Sequence, residues 1–291
     1  MLRKIFLTLI FGPCLLIGQK EQWKETCLTD SSTDDRYASY SPDGKLIVFE
    51  SNRDGNWEIY LMDSVGQKIQ RLTNNHADDR RPTWHPNGKK VLFESNRSGV
   101  NQLYTVKITS GKEQILKAQS FSGEPIFAAF SPNGKNIAVS IQDSEQQSTI
   151  VLLDKKGKLI KELVQNKHRN FYPKWSKKGG EILFFSRKDT NNEDDEIYRF
   201  HIKTGLFKRL TEWPKHNFCP SWSADNNQIA YVTSMEGTRP EIYIMHADGS
   251  NKQRITFNEN GETLPNWHPT ENKLLITAYR NGNFQICVLT P

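Results

Sequence analysis

Short apolar runs broken by turn signals fill the chain, and residues 37–73 give the clearest unit. Residues 37–41 read as a strand that ends in Ser41-Pro42-Asp43-Gly44, where proline presets its own dihedral and glycine tolerates positive φ. Residues 45–51 are apolar on both alternating sets, Leu46 and Val48 against Ile47 and Phe49, so this strand is expected to be covered on both faces. Asn52-Arg53-Asp54-Gly55 is a second turn, and residues 57–62 a third strand. After another turn at 63–66, residues 68–73 supply a fourth strand with Arg71-Leu72-Thr73. Four short strands joined by hairpin-compatible turns make one unit.

The unit returns roughly every 45 residues, a period that marks a repeat architecture. Its anchor is Tyr40-Ser41-Pro42-Asp43-Gly44-Lys45, then Trp84-His85-Pro86-Asn87-Gly88-Lys89 and Phe130-Ser131-Pro132-Asn133-Gly134-Lys135. Weaker copies begin at Trp175, Trp222 and Trp267. Glu58-Ile59-Tyr60 returns as Gln102-Leu103-Tyr104, Glu196-Ile197-Tyr198 and Glu241-Ile242-Tyr243, whereas the third unit has Thr149-Ile150-Val151 there. Arg71-Leu72-Thr73 returns as Arg209-Leu210-Thr211 and Arg254-Ile255-Thr256. Four-stranded sheets repeated radially predict an all-β, six-bladed β-propeller. The last unit stops after a third strand, and residues 24–29 match a fourth, so the N-terminal strand is expected to complete the last blade and close the ring. That closure sets Cys27 against Cys287, at the positions of Arg71 and Tyr60 in the first unit. A cross-strand disulfide there is one reading, and two half-buried thiols the other.

Composition changes this picture little. The net charge of +6 is spread along 291 residues without a basic block, so nucleic acid is not an expected partner. Arg3, Lys4 and the apolar residues 5–17 read as an export signal ending near Gly18, too short to span a bilayer comfortably, with residues 19–291 forming the propeller. Cys14 raises lipoprotein processing, but the residues before it match poorly. No stable membrane span, no cofactor and a monomer are expected, in the periplasm or outside the cell.

The series Pro-x-Trp-Ser-Pro-Asp-Gly-Lys, Ser-Asn-Arg-Asp-Gly, Glu-Ile-Tyr-x-Met-Asp and Arg-Leu-Thr resembles the TolB-type propeller repeat, closely in units one and two and partially in three and six. TolB carries a separate N-terminal domain before its propeller, and the repeat spacing leads to the expectation that this chain carries only the propeller. In that family the N-terminal part engages the inner-membrane TolA and the propeller binds the peptidoglycan-associated lipoprotein. The resemblance therefore implies an envelope protein-binding or scaffold module, and it places no individual contact residue.

Strand order assigns loops to two faces. Tight turns such as Asp43-Gly44 and Asn87-Gly88 share one face and are read as structural. The other face gathers Arg53, Arg97, Arg187 and Arg280 from the second-to-third loops, and His76, Arg80, Arg81, His168 and His216 from the connections between blades. Functional residues are commonly displayed on loops of a rigid scaffold, and arginine suits carboxylates and protein interfaces. An envelope protein or an acidic glycan is the expected partner, with structural pairing between blades weighed equally for the arginines. The alternative is a propeller lyase or hydrolase acting on an acidic polysaccharide, because propeller pectate-type lyases use a histidine cluster. His76, His168 and His216 come from different blades, so no metal site is expected. The acidic segment 189–196 lacks calcium-loop glycine spacing and is read as solvated. No hydrolase motif such as Gly-x-Ser-x-Gly is present, which argues against an enzyme.

Overall fold

The computed structural model describes residues 23–30, 32–116, 121–166, 168–189, 194–212, 216–234 and 239–291. The proposed export signal, Cys14, Lys215 and residues 190–193 of the acidic segment lie outside the described residues. Six four-stranded antiparallel sheets make the six blades. Blade 1 is built from β2 (Asp35–Tyr40), β3 (Leu46–Ser51), β4 (Glu58–Asp63) and β5 (Gln70–Arg71). Each expected strand is present, with ends shifted by one or two residues. The third unit, which looked degraded, holds a full third strand over Ser148–Asp154.

Both faces of each blade are buried, as the double apolar pattern requires. Ile47, Phe49, Tyr60 and Met62 pack against Leu275 and Ile286 of the last blade. Val48, Ile59 and Leu61 point the other way, to Val91, Phe93 and Tyr104 of blade 2. Burying one such side chain contributes about 1.5–3 kcal/mol.

Anchor residues join the blades. The indole Nε1 of Trp84 donates to the Ser39 carbonyl of blade 1 at 3.0 Å, and Trp175 repeats this with Ala129 at 3.1 Å and Trp222 with Lys174 at 3.3 Å. The turn glycines have a second reason besides positive φ. A Cβ on Gly44 would lie 2.5 Å from the His268 ring, and one on Gly134 would lie 2.6 Å from the His85 ring. His85 and His268 are thus packing residues between anchors.

Every innermost strand carries a bulge whose central residue is left-handed: Tyr37, Arg81, Phe127, Tyr172, Cys219 and Leu264, with φ from 50° to 63°. Positive φ at bulky residues is costly and survives only where the surroundings enforce it. Pro82, Pro173, Pro220 and Pro265 follow four of these residues, at a point where the ladder is already interrupted and a missing N–H costs nothing. The bulges turn six side chains toward the ring axis.

The ring closes through β1 (Lys24–Cys27), which pairs antiparallel with β24 (Asn283–Thr290) in the register Lys24↔Thr290 through Cys27↔Cys287. Cys27 and Cys287 are disulfide-bonded across a sequence separation of 260. Arg280 reinforces the seam, its Nη2 donating to Glu25 Oε2 of β1 at 2.6 Å and to Glu262 Oε1 at 2.5 Å. A cross-link closing so long a loop restricts the unfolded chain strongly. Replacing Cys287 by Ser is expected to cost about 2–5 kcal/mol in urea unfolding. Reduced wild-type protein should show the same loss, and an unchanged midpoint in both would remove the bond's structural role.

Candidate functional site

Among the described residues, two places gather polar side chains away from turn chemistry: the face bearing the second-to-third loops, the loop face, and the central channel.

On the loop face, a carboxylate heads the first strand of several blades and an arginine from the second-to-third loop meets it. Arg53 Nη2 lies 2.9 Å from Asp35 Oδ1 while its Nε donates to Ser51 Oγ, and the guanidinium stacks 4.9 Å over the Tyr60 ring. Arg97 repeats this with Asp79 at 2.7 Å, Ser95 and Tyr104, and also pairs with Glu113. Asp35 and Asp79 are fully buried. In blade 4, Arg187 Nε reaches Asp195 at 3.1 Å, and Asp195 donates its N–H to His216 Nδ1. Arg280 holds Glu262 and Glu25 in blade 6. Arg53, Arg97 and Arg280 occupy equivalent places two residues past the paired end of the second strand, whereas in blade 4 that place falls to Lys188 and Arg187 precedes it; the four arginines come from four blades and do not converge. A second module lies farther out: Glu58 binds Arg71 at 2.8 Å and Thr73, Glu196 binds Arg209 and Thr211, and Glu241 binds Arg254 and Thr256. Burial raises the Glu196 and Glu241 pKa values, opposed by these partners.

Arg80 and Arg81 part company because the bulge centred on the left-handed Arg81 re-aims its side chain, while Arg80 is still paired in the ladder. Arg80 stays at the rim. It stacks 4.6 Å over Trp57 and pairs with Asp78 at 3.1 Å, while Asp78 accepts the Trp57 N–H. Arg36, which the sequence did not single out, repeats the arrangement one blade earlier. It pairs with Asp34 at 2.6 Å and stacks 4.2 Å over Phe284 and 5.0 Å from Trp57. Phe284, Arg36, Trp57 and Arg80 form a ladder across blades 6, 1 and 2. Its sequence signal was Asp-Asp-Arg, present at both 34–36 and 78–80.

Arg81 turns into the channel instead, pairing with Glu94 at 2.5 Å and stacking 4.6 Å over Phe127. Burial opposes its charge, but Glu94 raises its pKa above the usual guanidinium value. Glu50 Oε2 accepts the Arg81 N–H at 2.6 Å, and Glu94 Oε1 accepts that of Phe127 at 2.6 Å, so each glutamate braces the next blade's bulge. Glu50 Oε1 has no hydrogen-bond partner among the described residues. Burial pushes Glu50 up to about 7, against the lowering effect of the Arg81 N–H and guanidinium.

The histidines are not brought together. His76 and His168 are exposed in separate connections, and His216 is spent on Asp195. Among the described residues, the one group with metal-ligand spacing is Glu25, Cys27 and Cys287, and its cysteines are bonded to each other.

The channel narrows at the left-handed residues, around a cavity of about 60 Å³, and flares to about 260 Å³ at the tight-turn face. Ser39, Thr83, Lys174 and Asn266 line both parts. Lys174 was missed by sequence reasoning because a lysine in a strand looks solvated. Alignment of the repeats would have exposed it, since the equivalent positions are Ser39, Thr83, Ala129, Ser221 and Asn266. Burial pushes the Lys174 ammonium down to about 8, and Nζ lies 4.2 Å from the Tyr172 ring centroid.

The contacts separate structural arginines from rim arginines. Arg53→Ala strands a buried carboxylate and is expected to destabilise the ring by about 3 kcal/mol, the lower end for a broken buried pair because the guanidinium is partly exposed. Arg80→Ala, whose Asp78 partner is 35% exposed in its side chain, should cost less than about 1 kcal/mol. Equal losses in urea unfolding would contradict this division. Glu50 has a second consequence. Its folded pKa of about 7 exceeds the ordinary 4.5, so the folded protein binds the extra proton between these values, and its contribution to stability declines as pH rises through that window. Glu50→Gln should flatten the pH 4.5–7 stability profile relative to wild type, and a slope unchanged by the substitution would refute the assignment.

Comparison with known proteins agrees with this geometry. The TolB beta propeller domain profile matches residues 28–120 and 189–290. The Tol-Pal system protein TolB of Ruthia magnifica subsp. Calyptogena magnifica is 36% identical over 63 residues, which span 21% of this chain and 15% of that relative. The structure of TolB from Acinetobacter baumannii superposes with a TM-score of 0.67 at 20% identity, covering 90% of this chain and 65% of that one. Oligogalacturonate lyase from Vibrio parahaemolyticus shares the fold at a TM-score of 0.64 and 14% identity, covering 92% and 94% of the two chains. With six sheets of this topology and the profile matched on both sides of the divergent third blade, the chain belongs to the TolB β-propeller domain family.

Proposed function

We propose that this protein is an exported binding and scaffold module of the bacterial cell envelope. The loop face would engage an envelope protein or an acidic glycan. The observation that carries the reading is the set of pre-oriented guanidiniums on that face. Arg36, Arg53, Arg80, Arg97, Arg187 and Arg280 are each tied to a carboxylate, yet keep 17–33% of their side-chain surface exposed. Groups fixed before contact lose little entropy on binding, and arginine forks match carboxylates in two-point geometry. Family membership supports a binding role. The separation of His76, His168 and His216 favours binding over metal-assisted chemistry on a polysaccharide.

Charge reversal at Arg53 or Arg97 is a poor test, because it would place two carboxylates together in the interior. Arg36 and Arg80 can be changed safely, since Asp34 and Asp78 reach solvent. Arg36→Gln with Arg80→Gln is expected to weaken capture from a solubilised envelope extract, or retention in a polygalacturonate affinity gel, by about tenfold while the melting curve holds. Wild-type protein that captures nothing in either assay, or a variant that binds equally well, would sink the loop-face reading.

A further inference from the structure

The opposite end of the ring carries an unbalanced charge. Of the two cations lining the channel, Arg81 is matched by Glu94. Lys174 has the Tyr172 ring beside it but no counter-charge: no described residue lining either part of the channel is a carboxylate, and its ammonium is paired with no acid among the described residues. Around it stand the Ser39, Thr83 and Ser221 hydroxyls and the Asn266 amide, all able to donate hydrogen bonds. Desolvating a lone ammonium is costly unless a counter-charge arrives.

We propose that the channel of this propeller is a carboxylate-binding site, in which Lys174 Nζ takes the charge of a single carboxylate entering from the tight-turn face. One free ammonium matches one negative charge, which favours a carboxylate over a phosphate dianion. The shape restricts the ligand further. The inner cavity of about 60 Å³ admits little more than the carboxylate itself, and the wider mouth of about 260 Å³ accommodates whatever carries it. The ligand is therefore a slender group tipped by a carboxylate, supplied either as a small free acid or as an acidic side chain of a polypeptide. Aromatic anchors Trp84, Trp175, Trp222 and Trp267 line the mouth, so occupancy should perturb their emission. This site is at the other end of the channel from the loop face and stands or falls independently of it.

The test titrates the full chain with sodium acetate and, separately, with the blocked peptide acetyl-Gly-Asp-Gly-amide, holding ionic strength constant with sodium chloride and reading tryptophan emission. Saturable change with acetate supports a small-acid site, and saturable change with the peptide alone supports capture of an acidic side chain. Lys174→Met should weaken binding of the active probe by about tenfold or more, whereas Lys178→Met on the exposed turn should not. The Lys174 backbone carbonyl still accepts from Trp222 in this variant, so the blade contact is kept. If Lys174→Met fails to fold, ¹⁵N-lysine NMR of wild-type protein replaces it, with a carboxylate-dependent shift of one ammonium expected. No response to either probe, an equal response to chloride, or equal binding by Lys174→Met overturns the proposal.

Discussion

A sheet that is apolar on both sides has no face to give to water. Ile47 and Phe49 need the last blade as much as Val48 needs blade 2. Two sheets cannot satisfy each other under this constraint, because each would leave one face bare, whereas a closed circle leaves none. Closure is thus the condition for burial of every blade. It explains why the seam between β1 and β24 carries three kinds of bond: the strand ladder, the Cys27–Cys287 disulfide and the Arg280 clamp. Loosening the seam exposes a strand edge and two apolar sheet faces together.

Radial packing brings a polar problem with it. The first strand of each blade begins deep in the loop face, and in blades 1, 2 and 6 it begins with a carboxylate, at Asp35, Asp79 and Glu262. Each carboxylate meets an arginine from the second-to-third loop, and that arginine rests on an aromatic ring or a second acid. The same side chains therefore stabilise the ring and present its rigid cationic edges. Blade 3 departs from the scheme, with Pro125 and Ile141 paired where blade 1 has Asp35 and Ser51. An open pocket of about 420 Å³ lies there, lined by Arg80, Glu94, Asn101 and Glu124. The divergent repeat is thus the place where the loop face is least regular.

The ring axis follows different rules. Tyr37, Arg81, Phe127 and Tyr172, four of the left-handed residues, narrow it to a cavity of about 60 Å³, and the polar residues sit one step toward the tight-turn face. The loop face and the tight-turn end of the channel are therefore separated by an aromatic and guanidinium plug built from Tyr37, Arg81, Phe127 and Tyr172.

The amino-acid sequence by itself determined the number of blades, the strand order, the closing strand and the facing of Cys27 by Cys287, because these depend on periodicity and turn chemistry, which are local. It also placed Arg53, Arg97, Arg187 and Arg280 in the second-to-third loops of one face. It could not say what each arginine touches, since Asp35 and Arg53 belong to different hairpin strands and meet only after pairing. Nor could it foresee the bulges at Tyr37 or Phe127, where nothing in the side chain favours positive φ and the surrounding blades impose it. Lys174 shows the same limit: its position in a strand is legible, but its isolation from any acid is a property of six blades meeting on one axis, which only the tertiary structure decides.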